Sequence, residues 1–80
     1  MSKTWNERIL NAASKEETIN TSTLRRRFRI PQTEMSNEFF HNSVMRATRG
    51  LAEKKALKRT DRGTYEITRK GEKMLAYYQG

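Results

Sequence analysis

Apolar positions along this chain recur first at helical spacing, and near the C-terminal end at strand spacing. Trp5, Ile9, Ala12 and Ala13 fall on one helical face and predict a first helix over residues 5–14. Thr4 followed by Glu7 is the capping-box pattern, a hydroxyl acceptor with an acid three residues on. A polar turn over 14–17 leads to Thr18-Ile19-Asn20, read as a very short strand that adds to a small sheet. Thr21 or Ser22 is expected to cap a second helix, with Leu24 and Phe28 one turn apart and facing inward. Ile30-Pro31 should end it, because the residue before proline is pushed out of the helical region. Residues 32–37 then read as a loop, with Ser36 or Asn37 capping the next helix.

That third helix, over about residues 38–54, carries Phe40, Val44, Ala47 and Leu51 as its buried stripe. A regular helical projection places Glu38, Asn42, Met45, Arg46, Arg49 and Glu53 on the opposite face. Gly50 costs about 1 kcal/mol of helix propensity relative to Ala. Beside Ser43 on the flank of the stripe, it is expected to mark a close helix–helix crossing. Residues 56–60 and 64–68 alternate as strands around an Asp61-Arg62-Gly63 turn, where glycine supplies the positive φ that hairpins use. Thr68 is placed to cap a last helix with Gly71, Met74, Leu75 and Tyr78 facing inward.

Charge adds direction to this pattern. The 80 residues, enough for one domain with a modest core, hold 17 Lys and Arg against 9 Asp and Glu, giving +8 and an isoelectric point near 10.3. Residues 1–24 sum to zero, so the whole excess lies in 25–80. Such concentration calls for a polyanion or an acidic protein surface as partner. Cysteine is absent, which excludes disulfides and thiolate metal sites. The apolar runs are too short for a membrane span, and the first ten residues lack a signal peptide's apolar stretch. A cytoplasmic protein is expected, nucleoid-associated if the source is prokaryotic.

The order helix, short strand, helix, helix, hairpin, helix is that of the winged helix-turn-helix, an α+β fold with a three-helix core, a β-hairpin wing and a final helix. The segment over about 38–76 resembles the N-terminal winged-helix domain of the Mrr-type restriction endonucleases. Its third-helix positions are here Phe40, Asn42, Val44, Ala47 and Leu51. Its hairpin pattern Arg-Gly-x-Tyr-x-Ile-Thr-x-x-Gly is here Arg62, Gly63, Tyr65, Ile67, Thr68 and Gly71. The match is weaker through the first two helices, and small archaeal, bacterial and phage regulators end their wings similarly. The resemblance implies DNA contact by helix and wing; it does not extend to restriction, since nothing here corresponds to a nuclease domain.

Individual residues can be assigned on that basis. Arg46 and Arg49 are expected to contact bases or phosphates, since a guanidinium pairs bidentately with guanine O6 and N7. Asn42, one turn earlier, could read adenine or a phosphate. Lys58, Arg59 and Arg62 belong to the wing, and alternation should leave one of the two strand residues less available. Arg62 at the tip has the best reach into a minor groove. Of the Arg25-Arg26-Arg27 run, Arg25 and Arg26 are the candidates for a phosphate backbone. His41 is the only histidine and is expected on the helix surface, not as a metal ligand. Glu38 and Glu53 lie about 22 Å apart along a helix, too far for paired-carboxylate chemistry. Neither enzymatic activity nor a cofactor is expected. The first expectation is therefore a small regulator or a phage or mobile-element accessory factor bound to double-stranded DNA. An acidic protein partner such as part of the transcription machinery is the alternative, and shape-based RNA binding a third. Trp5, Tyr77 and Tyr78 could line the core or serve a homodimer.

Overall fold

A computed structural model describes residues 4–30 and 33–79. Helix α1 (Trp5–Lys15) is followed by α2 (Thr21–Phe28) and α3 (Glu34–Phe39). A π-helical stretch (Phe40–Met45) carries α3 into α4 (Arg46–Glu53). Strands β1 (Leu57–Asp61) and β2 (Thr64–Ile67) then form an antiparallel hairpin, and α5 (Arg69–Gln79) closes the described chain. The result is a helix-rich α+β arrangement compatible with a winged helix. Pro31 and Gln32, expected to end the second helix and begin the next loop, lie outside the described residues. Among the described residues no helix is long and apolar enough to cross a membrane.

Side-chain oxygens cap the starts of α1, α2 and α5. Thr4 caps α1 by accepting from the Glu7 N–H at 3.3 Å. The cap of α2 is Asn20, not Thr21 or Ser22: its Oδ1 accepts from the Thr23 N–H at 2.9 Å and from the Thr23 hydroxyl at 3.1 Å. An amide oxygen on an extended residue reaches the third helical N–H directly, so the helix begins one residue sooner. The segment before it is correspondingly shorter as a strand. Ile19 exchanges both backbone hydrogen bonds with Tyr65, at 2.8 and 2.9 Å, and the pairing stops at that single bridge. Helix α2 ends on Arg29 in the left-handed conformation, φ 55°, with the Ile30 N–H returning to the Arg25 carbonyl.

Where a loop was expected up to residue 37, the chain is helical from Glu34 onward. The Asn37 N–H bonds the Thr33 carbonyl at 2.8 Å, so neither Ser36 nor Asn37 is a cap. Asn37 instead accepts a hydrogen bond from the Arg25 guanidinium. Phe40, Val44 and Thr48, four residues apart each time, are all fully buried along one line. Side chains at that spacing stay aligned only if the helix turns less per residue than an α-helix, and the wider i→i+5 turns of the π stretch do this. Thr48, with its hydroxyl on the Val44 carbonyl at 2.8 Å, takes the buried place expected of Ala47, which is half-buried.

The remaining core is Ile9, Leu10, Ala12 and Ala13 of α1, Ile19, Leu24, Leu51, Ala56, Leu57, Tyr65 and Leu75. Thr68 and Gly71 join three elements beneath it. The Thr68 hydroxyl donates to the Lys55 carbonyl at 2.6 Å and accepts from the Gly71 N–H at 3.1 Å, capping α5 while holding the end of α4. A Cβ on Gly71 would lie 2.2 Å from the Ala56 carbonyl oxygen, so only glycine lets α5 pack this close to the chain entering β1. The expected inward stripe of α5 holds for Gly71 and Leu75; Met74 is half-buried and Tyr78 exposed. Trp5 packs edge-on to Phe28 and Phe39, at ring separations of 5.5 and 5.8 Å, with the Arg8 guanidinium over it. Tyr77 stands in solvent.

Candidate functional site

The outer face of the long helix is built by the π stretch. Slower rotation across Phe40–Met45 makes every later side chain lag by about one residue's turn relative to a regular helix. Met45, expected outside, swings against the core and is half-buried. Gly50, expected on the flank facing another helix, comes round to the outside, and a Cβ there would meet nothing within 4 Å. The predicted Ser43–Gly50 crossing is therefore absent. Asn42, Arg46 and Arg49 instead line one open concavity together with His41, Gly50 and Glu53. All three predicted contact residues are exposed, as is His41. The Arg49 Nε lies 3.5 Å from the Met45 carbonyl, the outer limit of a hydrogen bond, which leaves its guanidinium largely available.

The hairpin supplies the second group. Leu57 pairs with Ile67, Lys58 with Glu66 and Arg59 with Tyr65, and an irregularity between Arg59 and Asp61 shifts the register before Asp61 meets Thr64. Only Leu57 of β1 is buried; Lys58 and Arg59 are both exposed. The expectation that one of them would be less available is not met: β1 lies on the outer side of β2, whose Tyr65 pairs with Arg59 and is bridged to Ile19. Their hollow is shared with Lys55 and Thr68. Lys55, which the sequence reading did not single out, sits in the left-handed conformation at φ 67° where α4 turns into β1. Arg62 is exposed at the tip, its N–H on the Asp61 carboxylate at 2.7 Å, and Gly63 completes the turn at φ 70°.

The arginines of α2 behave differently from one another. Arg25 is turned inward and only 8% exposed; its guanidinium lies 4.4 Å from the Phe40 ring centre and bonds Asn37. It packs α2 against the long helix, so its side chain is not displayed on the surface as expected. Arg26 is 77% exposed and lies 3.5 Å from the Glu16 carboxylate in the turn after α1. Three residues on a helix point three ways, and here one of them faces the interior.

Two clusters thus emerge: Asn42, Arg46 and Arg49 on the helix, and Lys58, Arg59 and Arg62 on the hairpin. Lys55 and Gly50 are the additions. A rule for helix C-termini that admits a non-glycine left-handed residue could have found Lys55. Gly50 needed the π stretch, for which the sequence carries no local signal beyond the four-residue spacing. Compared with protein-family models, curated proteins and solved structures, the chain matches none of them, and none of these comparisons supports the expected likeness to the Mrr-type domain.

Proposed function

We propose that this is a winged-helix DNA-binding protein in which the long helix over 34–53 enters the major groove and the hairpin contacts the flanking backbone or minor groove. The observation that carries the reading is the joint exposure of two polar-basic clusters on consecutive elements. A helix fits the major groove, where Arg can read guanine and Asn can read adenine. Lys58, Arg59 and Arg62 are positioning contacts to phosphate or the minor-groove edge. Glu53 beside Arg49 is unsuited to a phosphate but can accept from a cytosine amino group, which favours base reading over backbone tracking along this face.

The reading predicts a difference between sequences. A preferred site is first selected from random duplexes. Arg46→Ala or Arg49→Ala should then weaken that site more than random DNA, since a bidentate base contact carries about 1–3 kcal/mol of discrimination. Circular dichroism should remain unchanged, because both side chains lie outside the core. If the folded variants bind both DNAs like the wild type, the helix is not the reader.

A further inference from the structure

Gly50 is the residue in the helix that the fold does not explain. Glycine is used in helices where a neighbour leaves no room for Cβ or where φ is positive, and neither holds here. A Cβ on Gly50 would meet nothing within 4 Å, and the positive-φ glycine among the described residues is Gly63. Gly71 shows the contrast, since there a Cβ would press into the Ala56 carbonyl. Gly50 therefore weakens its helix with no return in packing. It also lies in the wall of the same concavity as Asn42, Arg46 and Arg49, turned there by the π stretch.

We propose that Gly50 is a close-approach position for duplex DNA: its bare backbone lets the groove wall seat flush against the helix between Arg46 and Glu53. The inference rests on the DNA-binding reading and names a specificity-determining residue within it. A side chain at this point would hold the duplex away from the helix and stretch the contacts of Asn42, Arg46 and Arg49 together. Small size, not charge, is what the position requires.

The test is a size series, Gly50→Ala and Gly50→Leu, measured by thermal unfolding and by binding to the duplex that the wild type prefers. Alanine should raise the melting temperature by a few degrees, because it restores helix propensity in open space. The same protein should bind the duplex at least tenfold more weakly, and the leucine variant more weakly still. Variants that melt higher yet bind like the wild type would overturn the role of Gly50 while leaving the DNA-binding reading intact. A lower melting temperature for Gly50→Ala would assign the glycine to folding and also overturn it. A wild type that binds no duplex would remove both.

Discussion

The pattern Thr-x-x-Gly at the end of the hairpin is a joint, and its chemistry is complete at the level of single residues. Thr68 uses one hydroxyl to hold the Lys55 carbonyl and to cap α5, while Gly71 admits the Ala56 carbonyl where any Cβ would stand. Gly71→Ala must move backbone, not a flexible side-chain end. It should cost about 2–3 kcal/mol in a urea titration, in the range of overpacked core positions. Arg25 and Arg26 give a second contrast, between neighbours of identical type. Arg25→Ala removes a guanidinium stacked on Phe40 and bonded to Asn37, and should cost about 1–3 kcal/mol. Arg26→Ala loses a single 3.5 Å pair between an exposed guanidinium and the half-buried Glu16 and should cost no more than about 1 kcal/mol. Equal stabilities for the two variants would contradict the inward placement of Arg25.

At the scale of elements, much of the architecture was legible because each element carried its own signal. The hairpin followed from strand alternation around a Gly-containing turn, the stripe of α1 from helical spacing, and that of α5 only at Gly71 and Leu75. What was misread has a common cause: side chains with more than one possible job. Asn20 could extend a strand or cap a helix, and capping ended the strand at Ile19. Asn37 could cap a helix or receive Arg25, and the helix had already begun at Glu34. The long helix was read as uniform, and the π stretch displaced Met45, Thr48 and Gly50 by one position around it. Asn42, Arg46 and Arg49 survived that displacement because all three sit near the middle of the outer face. The wing differs from the helix in the kind of contact it can make, since a tip arginine positions without specifying. Arg62→Ala should weaken preferred and random duplexes by similar factors and reduce the dependence of log K on log salt by about one unit. A loss confined to the preferred sequence would make the wing a reader instead.

For the whole molecule, the formal charge of +8 lies wholly in residues 25–80, the part containing both candidate clusters. Charge concentrated in this way has a thermodynamic signature that no single contact can imitate. Each phosphate neutralised releases counterions, and affinity falls with salt in proportion to their number. The most direct test of the account is therefore the affinity of the wild-type chain for random duplex DNA between 50 and 200 mM salt. With about four to eight phosphates engaged and log K falling by roughly 0.9 per phosphate per log unit of salt, affinity should drop roughly a hundredfold to ten-thousandfold across that range. Binding that is undetectable at the low-salt end, or a slope near zero, would contradict DNA binding and turn attention to an acidic protein surface as the partner.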